Sequence, residues 1–246
     1  MPEPTRILHR HGAELRVYAD TDALRDAAAA TLVDVRGRDH PWHLALTGGS
    51  TPEALYRRIA ARTPQGWGDT HVWMGDERSV GPEHPDSNWG MADTAMLRHL
   101  DVAPEHLHRM RGELPADEAA RAYAAELRTV FGGAALPRFD LLLLGVGEDG
   151  HTASLFPGTA ALAERQRWVT ENWVPELDTW RITLTMAVLC AAARTWIFAA
   201  GPRKAAIVRD VLGPERDPER WPVQGVGGHG VAPVWWLDEA AAARLG

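Results

Sequence analysis

Short apolar runs that stop at glycine, each followed by a helix-prone stretch, recur along the whole chain, and this alternation restricts the fold more than any single motif. His43-Leu44-Ala45-Leu46-Thr47 ends in Gly48-Gly49, and Thr70 to Met74 ends in Gly75. Phe139 to Leu144 is wholly apolar, the pattern of a strand buried on both faces. Arg181 to Thr185, Thr195 to Ala200 and Val234 to Leu237 read as further strands. Asp20 to Val35, Glu53 to Ala61 behind Pro52, Asn88 to Leu100, Asp117 to Val130, Met186 to Ala193 and Arg203 to Leu212 read as helices. Such alternation with short connections predicts an α/β fold: a mainly parallel open sheet, Rossmann-like, with helices on both faces. The 246 residues hold no internal repeat and no low-complexity linker, so a single domain over 1–246 is expected. The Pro-, Gly- and charge-rich Gly213 to Gly230 reads as a long surface excursion.

Composition excludes several classes. Apolar residues make up 45% and charged residues 24%, which argues against disorder. No apolar run approaches the roughly 18 residues that cross a bilayer, and MPEPTRILHRHG lacks the layout of a signal peptide. Cys190 is the one cysteine, so neither an internal disulfide nor a cysteine zinc cage is available. The expectation is a cytoplasmic protein without metal or membrane contact. A formal net charge of −7 disfavours a nucleic-acid surface but not a small anion, which needs only a few local cations. Among 26 basic residues, Lys204 is the single lysine. Chance retention and a position that requires a compact ammonium both account for it.

Ligands of open α/β sheets bind beyond the carboxyl ends of the strands. Those positions hold Thr47-Gly48-Gly49-Ser50-Thr51-Pro52, Gly75-Asp76-Glu77-Arg78, Gly145 to Phe156, and Gly201-Pro202-Arg203-Lys204. The first offers backbone N–H groups and two hydroxyls at a helix start, a setting for phosphate. An ordinary turn with Ser50 or Thr51 as N-cap explains less, because two glycines exceed what a cap needs. Arg203 and Lys204 in a first helical turn oppose the helix dipole unless an anion compensates. Gly145-Val146-Gly147-Glu148-Asp149-Gly150 matches the dinucleotide pattern, yet two carboxylates in the loop would repel a pyrophosphate. Gly225 to Gly230 matches too, and precedes a strand. His151, two residues beyond Asp149, is placed to act as a general base with an orienting carboxylate. Most of the eleven histidines, including the close pairs His9/His11, His40/His43 and His106/His108, lack a carboxylate or cysteine framework for metal. The eleven tryptophans read as packing, with Trp89 and Trp180 as candidates to line a cleft.

LALTGGSTPEALY, VWMGDERSV with DSNWGMA, FDLLLLGVGEDGHTASLFPG, RITLTM and AAGPRKA resemble, in order and spacing, the glucosamine-6-phosphate isomerase/6-phosphogluconolactonase family. The lactonase branch is the nearer one. Deaminases of the family carry a glutamate before the proline that closes the histidine block, where this chain has Phe156, and Arg78 is the lactonase choice. The resemblance implies a cofactor-independent enzyme of the pentose phosphate pathway that hydrolyses 6-phospho-D-glucono-1,5-lactone, monomeric or a small homo-oligomer. It implies His151 and Asp149 as the catalytic pair. Gly48, Gly49, Ser50, Thr51, Asp76, Arg78, Arg181 and Lys204 are implied to bind the sugar phosphate. Asn172 to Trp180 departs from the family's usual Ser-Pro-Lys-Pro-Pro-like segment, a change that bears on loop closure and on Arg181. A non-catalytic sugar-phosphate regulator would need a helix-turn-helix, for which the residues before Asp20 are too few.

Overall fold

The computed structural model of the chain describes residues 1–36, 41–63, 65–227 and 231–246. His40 and the end of the glycine-rich stretch, residues 228–230, lie outside the described residues. The chain opens with strands β1 (Arg6–Arg10) and β2 (Ala13–Tyr18), then helix α1 (Thr21–Val35) and β3 (Trp42–Leu46). It continues through α2 (Ser50–Arg62), β4 (Thr70–Met74), the short β5 (Asp76–Arg78), α3 (Asn88–Ala95) and α4 (Ala116–Phe131). Then come β6 (Leu141–Gly145), β7 (Val169–Val174), β8 (Thr179–Leu184), α5 (Met186–Ala191) and β9 (Thr195–Ala199). It ends with α6 (Ala205–Leu212), β10 (Val234–Asp238) and α7 (Glu239–Ala242).

Seven strands form one sheet in the order β1-β2-β10-β9-β6-β3-β4, parallel throughout except for β1. The expected mainly parallel sheet is therefore present. The apolar run of β6 sits in the middle with Leu141 to Leu144 fully buried, as a strand covered on both faces requires. Asp20 caps α1 by accepting from Ala23 N at 2.8 Å.

Three parts of the chain differ from the expectation. Arg181 to Thr185 is not in the parallel sheet: β8 joins β5 and β7 in a separate antiparallel sheet ordered β5-β8-β7. Its first three residues are partly buried or exposed and its last three, Ile182 to Leu184, are buried, so the strand runs from the surface into the body. The helix that begins at Asn88 stops at Ala95, and Leu97–His99 continues as a tight 3₁₀ turn after Met96 leaves helical geometry. The stretch from Gly213 is not a surface excursion throughout. Trp221, Val223, Gln224 and Val226 are buried, Gln224 Nε2 donates to the carbonyls of Val211 and Glu215, and Val223 N donates to Gly150 O. Apolar anchors and one buried amide draw this glycine- and proline-rich segment onto the body.

Chain direction sets the site. From β3 the chain moves outward to β4 at the sheet edge, then returns on the other side of β3 as β6, followed by β9. The order reverses between β3 and β6, which is where an open α/β sheet leaves a crevice at the carboxyl ends of its strands. The adjacent strands β4, β3, β6 and β9 end at Met74, Leu46, Gly145 and Ala199, delivering all four polar segments to one end of the sheet.

Candidate active site

Gly49 ends the β3 turn at φ 108°, a conformation that a side chain resists, and serves as N-cap of α2 with no side-chain capping bond. The first N–H groups of a 13-residue helix therefore face the crevice without an internal partner. Lys204 lies across from them, its Nζ donating to Val146 O at 2.8 Å. Burial lowers the Lys204 ammonium below the ordinary lysine range, Arg203 adds to this, and Glu148 and Asp149 oppose it.

The β6 turn carries the histidine. Asp149 Oδ1 accepts from His151 Nδ1 at 2.6 Å and from His151 N at 3.1 Å. That bond leaves Nε2 as the ring nitrogen able to take a proton. Burial pushes the Asp149 carboxyl upward, and the side-chain bond, charge and backbone N–H of His151, with Asp149's own N–H, together outweigh it, so the net direction is down. Phe156 stacks on the imidazole with centroids 4.0 Å apart at 25°. The turn is braced throughout. Thr152 Oγ1 donates to Gly145 O, Asn172 Nδ2 donates to Ser154 O, and Ala153 holds φ 47° between them. Asn172, from the segment that departs from the family pattern, thus supports the histidine loop.

One cavity of about 270 Å³ gathers Gly48, Gly49, Asp76, Arg78, His151, Arg181 and Lys204, with Phe156 and Leu177 also on its wall. A second of about 260 Å³ adjoins it, shares Gly48, Gly49, Gly145, Val146 and Lys204, and adds Ser50, Thr51 and Arg203. The expected residues therefore divide. Ser50 and Thr51 stand on the α2 side, and Arg78 and Arg181 face each other in register across β5 and β8 on the other side. Lys204 is common to both. Asp149 stands behind His151 rather than on the wall. Burial lowers the Arg181 guanidinium from its ordinary value, helped by Arg78. It makes no hydrogen bond or ion pair among the described residues. A half-buried, unpaired cation at a cavity wall invites an anion.

Two residues on this wall were not anticipated, Asn88 and Leu177. Trp89 and Trp180 do not line the cavity: Trp180 is 44% exposed and packs against Trp173. A more spacious cavity, about 640 Å³ between the β1–β2 turn and the end of α6, contains none of the four segments.

A parallel sheet with a cation-rich crevice and a carboxylate-held imidazole at its switch point defines an α/β protein built to act on a small anionic ligand. Comparison with known proteins is more specific. The family model described as glucosamine-6-phosphate isomerases/6-phosphogluconolactonase matches residues 19–236. The chain is 40% identical to the 6-phosphogluconolactonase of a Nostoc species over 87% of this chain and 88% of that one. It is 41% identical to the 6-phosphogluconolactonase of Homo sapiens, covering 89% and 85%. The solved 6-phosphogluconolactonase of Trypanosoma brucei superposes with a TM-score of 0.83 at 28% identity, covering 94% and 98%. The chain belongs to the glucosamine-6-phosphate isomerase/6-phosphogluconolactonase family.

Proposed function

We propose that the chain is an enzyme that hydrolyses 6-phospho-D-glucono-1,5-lactone to 6-phospho-D-gluconate, a step of the pentose phosphate pathway. The observation that carries this reading is the opening of His151, Lys204 and the Gly48–Gly49 turn onto one cavity at the switch point. The α2 N-terminus with Ser50, Thr51 and Lys204 anchors the phosphate, and Arg78 and Arg181 supply further positive charge across the cavity. Asp76, whose Oδ2 already accepts from Ser154 Oγ at 2.7 Å, keeps its remaining acceptor capacity for sugar hydroxyls. His151 Nε2 takes a proton from water as the oxygen attacks C1. The tetrahedral intermediate then collapses by breaking the bond from C1 to the ring oxygen. The proton passes from His151 to that oxygen, leaving a carboxylic acid that ionises and a free hydroxyl. Asp149 holds the ring in the productive tautomer and favours its transient positive charge. Binding the remote phosphate fixes the carbonyl against the base, converting affinity into orientation.

Phe156 supports hydrolysis over ring-opening deamination. The apolar ring covers one face of the imidazole at the position where the deaminases place a glutamate. The proposal includes a cytoplasmic setting, with Cys190 a free thiol. Replacing His151 by Ala is expected to lower kcat by roughly 10²–10⁴-fold once spontaneous hydrolysis is subtracted, the usual general-base contribution. Full turnover in that variant would remove His151 from the mechanism.

A further inference from the structure

Successive side chains of a strand point to opposite faces. In β5, Asp76 and Arg78 face the cavity, and Glu77 between them turns away from it. Glu77 is 1% exposed, and no ion pair reaches it among the described residues. Four donors do reach it. Oε1 accepts from Arg78 N and Asn88 N, each at 2.7 Å, and Oε2 from Trp89 N at 2.7 Å and Ser87 Oγ at 3.0 Å. Ser87 itself accepts from Gly90 N as the side-chain cap of α3, so its proton is committed to Glu77. Asn88 closes the circuit, its Nδ2 donating to Asp76 O at 3.1 Å while the side chain lines the cavity.

An acceptor-only group suits this arrangement, because three of the partners are backbone N–H groups that can only donate, shared between both oxygens. Burial raises the carboxyl from its ordinary range, and the N–H groups of Trp89, Arg78 and Asn88 pull against that. A buried carboxylate without a counter-ion is expensive to maintain. A capping role for α3 alone accounts for the three bonds from Ser87, Asn88 and Trp89 at the start of that helix. It leaves the bond to Arg78 N without a purpose.

We infer that Glu77 is a positioning residue for the proposed reaction, one buried carboxylate that sets Asp76, Arg78 and Asn88 in the wall of the substrate cavity. The inference rests on the lactonase reading of that cavity. The histidine and its aspartate belong to the β6 turn and share none of the four bonds to Glu77; the two arms meet only where Ser154 Oγ donates to Asp76 Oδ2, three residues beyond His151. Loss of Glu77 therefore loosens the grip on substrate and leaves the proton transfer intact.

Glu77→Gln is the direct test. Either orientation of the amide aims an NH₂ at a backbone N–H that cannot turn away: Arg78 N and Asn88 N at one oxygen position, Trp89 N at the other, where the Ser87 hydroxyl can rotate. Measured well below the melting temperature, on protein whose folded fraction is checked by circular dichroism, KM for 6-phosphogluconolactone is expected to rise at least about tenfold, the equivalent of 1.4 kcal/mol. kcat should stay within about threefold, about 0.7 kcal/mol, with an unchanged pH profile. The Kd for 6-phosphogluconate by calorimetry should weaken in parallel with KM. A loss confined to kcat at wild-type KM is what fewer folded molecules would give, and it overturns the inference, as does wild-type behaviour in both constants. Should Glu77→Gln fail to fold, Ser87→Ala removes one of the four donors outside the cavity. KM raised about threefold, 0.6–0.7 kcal/mol, supports the inference, and an unchanged KM overturns it. A wild-type enzyme with no turnover would instead sink the lactonase reading itself.

Discussion

Gly147 accounts, at the level of one residue, for a pattern that resembles dinucleotide binding and serves another purpose. A Cβ at this position would overlap the His151 imidazole and the Asp149 carboxylate. The glycine is needed so that the histidine–aspartate pair can fold back against the backbone of its own turn, closed by Gly147 N donating to His151 O at 2.8 Å. Gly147→Ala should therefore part the pair and lower kcat at least about tenfold, since misplacement by about an ångström costs that much or more. Wild-type kcat in that variant would show that the packing is dispensable. His151 and Asp149 were legible in the sequence because their spacing of two on a glycine turn states their relation. Asn88 and Glu77 were not. Asn88 reaches the cavity through the non-local approach of α3 to β5, and Glu77 acts through hydrogen bonds from residues ten to twelve positions ahead.

Among the elements, the parallel strands declare themselves by apolar runs and glycine stops, and those of the small sheet do not. β5 is three residues long and polar, and β7 mixes buried with exposed positions, so neither has a period to read. The hairpin of β1 and β2 hides its register for the same reason: β1 is largely exposed at the sheet edge. The starts of β3 and β4, at the end of the sheet away from the cavity, carry a second chemistry. His43 and His71 lie in register with their rings 4.8 Å apart, and His106 packs on His71 at 3.9 Å. His71 Nδ1 lies 2.9 Å from His108 Nε2, and His108 Nδ1 lies 2.6 Å from Glu126 Oε1. Burial first, then His106 and His108, lowers His71 to about 4 from 6.5. A neutral form favoured by the fold contributes stability that is fully present above pH 6.5 and is lost as pH falls towards 4. The melting temperature should therefore drop across that window, and more steeply in the wild type than in His71→Phe, which keeps an aromatic ring without the proton. Identical slopes would show that His71 does not contribute to acid sensitivity.

At the scale of the molecule, strand order is what turns four separate turns into one site. The crevice between β3 and β6 follows from the alternation of strands and helices, and it was legible in outline because parallel sheets bind at their carboxyl ends. The division of the cavity was not legible. Which cations sit with Ser50 and which with His151 depends on the antiparallel pairing of Arg78 with Arg181, set by a sheet that the sequence does not announce. Trp221 is a comparable case: brought back from the stretch after α6, it packs on Gly150 and closes the rear of the histidine turn.

The claim beneath all of these is that a phosphate grip and a water-activating imidazole act on one molecule at once. Its most direct test is turnover by the wild type of freshly generated 6-phosphogluconolactone beside the unphosphorylated lactone, with spontaneous hydrolysis subtracted from both. Two or more charge-assisted hydrogen bonds to the phosphate predict a kcat/KM at least about a hundredfold higher for the phosphorylated substrate. Equal values for the two lactones would contradict the account.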